Sequence, residues 1–232
     1  MANSMHIAKG IKEGLRPLVD LVYPPRCASC GAATANQGSL CLDCWGELEF
    51  PVSKAKPKDA RHGGIIAATV YNDMSRGLLL KFKHGGKLAL APLLGKMMAS
   101  RIHVDVGANP LIVPVPLHRT RIWQRGFNQS AMLAREIAKA GKGELIVDAL
   151  VRQKRTPSLG SMSADKRKTV LAGAIVIRPK ARGLIKGREI ILVDDVLTSG
   201  ATSDACVEAL LGAGASKVRI ACFARADHGA LG

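Results

Sequence analysis

Residues 190–202 read Ile-Ile-Leu-Val-Asp-Asp-Val-Leu-Thr-Ser-Gly-Ala-Thr, an order that leaves few folds open. Four apolar residues, Ile190 to Val193, predict a buried strand. Asp194 and Asp195 follow where that strand should end. A small, hydroxyl-bearing loop comes next, Thr198-Ser199-Gly200-Ala201-Thr202, and behind it Ala205, Val207, Ala209, Leu210 and Leu211 supply the apolar positions of a helix. A strand that ends on carboxylates and turns through such a loop into a helix N-terminus suits a sugar phosphate. Loop N–H groups and hydroxyls can surround a phosphate, and the helix dipole favours its charge. The carboxylates can accept hydrogen bonds from two adjacent ribose hydroxyls. The competing reading is a capped turn in an ordinary α/β domain, with Thr198 or Ser199 as a plain N-cap.

The flanking pattern agrees with an α/β fold. Gly64–Tyr71, Leu111–Val115, Leu145–Val151, Gly173–Ile177, Glu189–Val193 and Val218–Phe223 read as strands. Met74–Phe82, Leu88–Arg101, Asn128–Lys139 and the segment after Gly200 read as helices. Strands alternating with helices predict a mostly parallel central sheet flanked by helices, with ligands at the strand C-terminal ends. Ahead of this part lie an amphipathic helix over residues 7–23, stopped by Pro24-Pro25, and a cysteine module over 26–46. The expected organisation is a helix and metal module in residues 1–50, a linker at 51–62 and the α/β domain at 63–232. Hydrophobic residues make up 47% of the 232 and aromatic ones 3%, so the core should be aliphatic. No run of eighteen apolar residues predicts a membrane span. The first fifteen residues lack the apolar centre and cleavage pattern of a secretory leader, so a cytoplasmic protein is expected.

Four of the six cysteines form two C-x2-C pairs, Cys27/Cys30 and Cys41/Cys44. Two such pairs on two tight turns can close a tetrahedral, structural zinc site with no open position. Gly31 follows the first pair, where a permissive backbone is needed. The module is too small to bury its own core, so the metal would supply its folding energy, about 10–16 kcal/mol in comparable peptides. Redox pairing is the rival. Cys206 and Cys222 stand singly in a predicted helix and strand and should be buried, inert thiols.

The formal net charge is +16. Residues 1–60 carry 7 Lys/Arg and 6 Asp/Glu, whereas residues 61–232 carry 27 and 12. The excess in the larger part attracts polyanions, unless it serves only solubility. One basic run is unusual: Val113-Pro-Val-Pro-Leu-His-Arg-Thr-Arg-Ile-Trp-Gln-Arg-Gly-Phe-Asn-Gln-Ser130. A short strand enters a proline-rich turn, a basic stretch and an Asn-capped helix. Arg119, Arg121 and Arg125 would gather beside the sheet's C-terminal edge, where guanidinium groups suit phosphate oxygens. The alternative is a solvated loop with surface arginines.

The 190–202 segment resembles the phosphoribosyl pyrophosphate (PRPP) signature of type I phosphoribosyltransferases, with Ser199 where the second Thr of the loop usually stands. With Tyr71, Arg76, Lys81-Phe82-Lys83, Gly85, the cysteine quartet and the 113–130 run, the order resembles the competence protein F (ComF) family, which joins an N-terminal zinc ribbon to a phosphoribosyltransferase-like domain. The resemblance implies that Asp194 and Asp195 hold the ribose hydroxyls. It implies a ligand site of Val193, Asp194, Asp195, Val196, Leu197, Thr198, Ser199, Gly200, Ala201 and Thr202. The pyrophosphate loop would be Pro114, Val115, Pro116, Leu117, His118 and Arg119, with Arg125 opening the hallmark Arg125–Gln129 run. Thr156 to Arg167 would be a loop closing over PRPP; it departs from the family pattern at Leu159 and Thr169. The implied ligands are PRPP with Mg2+, or a nucleoside monophosphate. The implied setting is DNA uptake, with transfer to an unnamed acceptor as one role. The other roles are single-stranded DNA binding beside a helicase-type uptake protein, and PRPP sensing.

Overall fold

The computed structural model describes residues 21–52, 61–84, 88–105, 108–153 and 173–226. The chain divides into two compact units, Met1–Glu47 and Leu48–Gly232. In the first unit an isolated bridge pairs Arg26 with Ala33, and the Cys27 amide donates to the Ala32 carbonyl at 2.6 Å. Gly31 takes φ +84°, the left-handed turn its position called for. A short helix, α1 (Leu42–Gly46), carries the last cysteine. Of the expected helix over 7–23, only Leu21, Val22 and Tyr23 are described; the first two are helical and Tyr23 is a bend. Most of the expected linker lies outside the described residues.

The second unit is built on five parallel strands: β1 (Ile65–Val70), β2 (Leu111–Pro114), β3 (Glu144–Leu145), β6 (Glu189–Leu197) and β7 (Lys217–Arg225), in the order β1-β7-β6-β2-β3. Helices α2 (Asp73–His84) and α3 (Ala91–Arg101) connect β1 to β2. Helices α4 (Arg119–Arg125) and α5 (Gln129–Lys139) connect β2 to β3, a short helix α6 (Arg182–Ile185) precedes β6, and α7 (Ala201–Gly212) connects β6 to β7. Ile190 to Val193 are fully buried, as a central parallel strand covered on both faces requires. Ile190 and Leu192 pack with Val207 and Leu210 of α7 and with Leu150 and Ile175 of a second, two-stranded sheet. Helices α3 and α5 lie together along the larger sheet, where Leu94, Met98, Leu133 and Ile137 are buried. Phe82 and Phe223 are fully buried in an otherwise aliphatic core, in keeping with the low aromatic content.

Three local expectations are corrected. Residues 145–151 are not one strand. A turn at 147–149 separates β3 from β4 (Leu150–Arg152), which pairs antiparallel with β5 (Ile175–Ile177) in the small sheet. Asp148 faces Lys180 at 2.8 Å and Arg178 at 3.7 Å, so a charged group holds the turn between the two pieces. The basic stretch 119–125 is helical rather than a loop. The His118 ring caps it by accepting from the Thr120 amide. No residue of α4 is buried, which is why apolar periodicity gave no sign of it. Finally, β6 does not end at Val193 but runs on to Leu197 along β7, with Leu197 opposite Arg225. The segment expected to close over the ligand, 156–167, lies outside the described residues.

Candidate functional site

The ladder between β2 and β6 stops at the Pro114–Val193 pair, while β6 continues along β7. From β2 the chain proceeds to β3 on one side, and from β6 to β7 on the other. This is the point where strand order reverses, and in open α/β sheets the crevice beyond it receives ligands. Asp194 and Asp195 occupy the stretch of β6 that β2 has left.

The two carboxylates are held differently. Asp194 Oδ1 accepts from the Ser130 hydroxyl at 3.0 Å and from the Asp195 amide at 2.9 Å. Ser130 lies in the first turn of α5, placed there by Asn128, whose side-chain oxygen caps the helix through the Ala131 amide. Burial, then the neighbouring charge of Asp195, pushes the Asp194 carboxyl up to about 7; the Asp195 amide, Ser130 and Lys83 oppose that shift. Asp195 is 8% exposed, and its Oδ2 pairs with the Lys83 ammonium at 2.6 Å. Lys83 belongs to the last turn of α2, which is fixed by buried Phe82; that ring meets Phe127 at 6.0 Å between centroids. Arg152 of β4 is buried to 7% exposure beside the same acids. Burial, then Arg121, lowers its pKa, and the Asp194 charge favours its ionised form.

The loop after β6 has the expected form. Gly200 takes φ +75° and precedes the first residue of α7, so the turn requires a glycine and the first amides of α7 open toward the loop. Thr198 and Ser199 are exposed, and Gly200, Ala201 and Thr202 are half-buried. Val193 and Leu197 are buried at 0% and 5%, so these two frame the site from the core side. The proline-rich stretch is narrower as a donor set than its sequence suggests. Pro114 and Pro116 have no N–H, and the Val115 amide donates to the Val193 carbonyl at 2.9 Å. The Val115 carbonyl accepts from Asn128 Nδ2 at 3.1 Å. Within that stretch the amides left to face an anion are those of Leu117, His118 and Arg119. Arg125 is half-buried at the end of α4, and Arg119 is exposed at its start. Lys83, Ser130 and Arg152 complete the acid pair's surroundings and are absent from the expected site residues.

In the first unit the Sγ atoms of Cys27, Cys30, Cys41 and Cys44 lie within 4.8 Å of one another. Tetrahedral thiolate zinc places sulfurs about 3.8 Å apart, so the quartet fits that ion. The Cys41 amide donates to Cys27 Sγ at 3.3 Å and the Ala32 amide to Cys30 Sγ at 3.5 Å, the outer bonds a zinc knuckle uses. Burial, then the facing sulfurs, pushes the Cys44 thiol up to about 12. Cys206 and Cys222 are fully buried, and burial raises both thiols well above their usual range.

No other group of three or more potential ligands occurs among the described residues. The acid pair is thus no ready-made cage for Mg2+, which prefers six oxygens. One oxygen of Asp195 already meets an ammonium, and one of Asp194 takes two hydrogen bonds. A divalent ion here would depend on oxygens brought by its ligand.

Residues 18–57 match a double zinc ribbon domain, and residues 124–231 match a phosphoribosyl transferase domain. The chain is 28% identical over 207 residues to the DNA utilization protein YhgH of Escherichia coli K12, covering 86% of this chain and 89% of that one. It is 24% identical over 230 residues to competence protein F of Haemophilus influenzae, covering 96% and 94%. Among solved structures, glutamine PRPP amidotransferase from B. subtilis aligns with a TM-score of 0.37 at 24% identity, over 56% of this chain and 25% of that one. The chain is thus similar along most of its length to competence protein F and the DNA utilization proteins, and in it a double zinc ribbon match precedes a phosphoribosyl transferase domain match.

Proposed function

We propose that the Leu48–Gly232 unit binds PRPP or a nucleoside monophosphate at the crevice between β2 and β6, in the service of DNA uptake or use. The supporting observation is that the acid pair stands at the point where strand order reverses, directly before a glycine-turned helix N-terminus. Asp194 and Asp195 accept from the two ribose hydroxyls. Thr198 to Thr202 surround the 5′-phosphate with hydroxyls and the amides that open α7. The amides of Leu117 to Arg119, with Arg125 and buried Arg152, face the pyrophosphate and stabilise charge that gathers there as the C1′–O bond weakens. Mg2+ bound with PRPP would neutralise pyrophosphate charge. Asp194 and Asp195 are the residues that would help hold it. Titration of the zinc-loaded protein with PRPP and with nucleoside monophosphates tests this; heats no larger than those of inorganic phosphate would contradict it.

A second reading rests on α4. This helix presents exposed Arg119 one turn before Trp123, which is 91% exposed. An open indole beside a guanidinium group suits a stacked base and its phosphate. In this reading the chain holds single-stranded DNA across the same face, and the nucleotide site engages a strand's terminal ribose phosphate or senses PRPP.

A further inference from the structure

We propose that Lys83 is a resident counter-cation of the ribose site, so that ribose phosphates without a pyrophosphate bind here in the absence of a divalent ion. This rests on the nucleotide-site reading above. Its own ground is the contact between Lys83 Nζ and Asp195 Oδ2 at 2.6 Å, made by side chains only 19% and 11% exposed. A lysine seldom gives up that much hydration without a fixed partner. Nor is it there by the chance sweep of a long side chain. Ser75, Leu79 and Lys83 follow one another at helical spacing, and the first two are buried at 0% and 3%. Lys83 therefore continues the inward stripe of α2 and arrives at the carboxylates with little freedom. The Phe82–Phe127 contact fixes the same turn of helix against the Arg125–Gln129 run.

The charge balance gives the contact its consequence. Two adjacent carboxylates, partly shut off from water, repel one another and need a nearby cation if both are to accept from a sugar. A divalent ion is one solution. Here an ammonium occupies that place on Asp195, while Ser130 and the Asp195 amide support Asp194. The oxygens outside these bonds, Asp195 Oδ1 and Asp194 Oδ2, remain for the two hydroxyls. Lys83 is thus a positioning residue. It holds Asp195 oriented, and the metal requirement is confined to ligands that carry a pyrophosphate.

Calorimetric titration of ribose 5-phosphate into the full-length zinc-loaded protein tests this. Protein exchanged into magnesium-free buffer without chelator is compared with the same protein in excess Mg2+. The wild type should bind equally in both, within about twofold. Losing a charge-assisted contact should weaken Lys83→Met about tenfold or more without Mg2+, and added Mg2+ should recover part of that loss. Lys83→Arg, which keeps the cation, should retain metal-independent binding. A merely structural lysine would not create a magnesium requirement on removal. A wild type that needs Mg2+ for ribose 5-phosphate would overturn the role of Lys83 and leave the nucleotide site standing. So would a folded Lys83→Met that binds as the wild type does. A wild type that binds no ribose phosphate under either condition would overturn both.

Discussion

Asp194 carries the largest electrostatic load at this site. Its folded-state carboxyl titrates near 7 because of burial and then Asp195, against an ordinary value of 3.8. A carboxyl whose pKa is raised by folding is a stabilising group while protonated, and the contribution is lost as pH climbs from about 4 through about 7. The expected outcome is that Asp194→Asn raises the melting temperature at pH 8 and makes little difference at pH 4. The asparagine oxygen can still accept from Ser130 and the Asp195 amide, so the packing is kept. Unchanged melting at pH 8 would contradict the assignment. At this scale the sequence was a partial guide. The acids and the Thr198–Thr202 loop were legible because their order is rare. Ser130 and Lys83 stood inside stretches already noticed, yet nothing local marked them as partners of the acids. A signal was present for both: each continues a buried helical stripe, Ser75–Leu79–Lys83 and Ser130–Ala134–Ile137. Arg152 was read as part of a basic run; only the pairing of β4 with β5 turns it inward.

At the level of elements, the zinc module and the strands were the most readable parts. Paired cysteines state their own geometry, and buried parallel strands are uninterrupted apolar runs. Helix α4 was invisible because it buries nothing, and the β3–β4 break because two short strands with an aspartate between them look like one. A double zinc ribbon match over residues 18–57 raises the question of metal count. That span holds four cysteines and no histidine, which supplies one tetrahedral site. Elemental analysis should therefore find one zinc per chain. Cys41→Ser should abolish it and open the first unit to proteolysis, whereas buried Cys206→Ser should leave the zinc content unchanged. Two zinc ions per chain, or none in protein purified without chelator, would contradict this.

For the whole molecule, the net charge of +16 is more than one small ligand needs. None of the described helices is long and apolar enough to cross a membrane. Exposed Arg119 and Trp123 of α4 favour a polyanion. If about five phosphates are neutralised, the logarithm of single-strand affinity should fall against the logarithm of salt with a slope of about −3.5. Trp123→Ala should cost about 1–3 kcal/mol with little change in slope, since stacking is not an ionic contact. A flat salt response would reject the strand-binding reading. Fold class was legible in advance because strands alternating with helices imply a mostly parallel sheet. Its exact crevice was not, because strand order is set by pairing between distant segments.

The central claim is that the crevice between β2 and β6 reads a ribose through its acids and a phosphate through its loop. The direct test is calorimetry of Asp195→Ala and Thr202→Val with PRPP and with sulfate. Asp195→Ala removes an acceptor for sugar hydroxyls and releases the Lys83 ammonium, so PRPP binding should fall about tenfold or more while sulfate binding holds or tightens. Thr202→Val removes a hydroxyl from the phosphate loop and should weaken both ligands. Equal losses for PRPP and sulfate in Asp195→Ala would contradict the account.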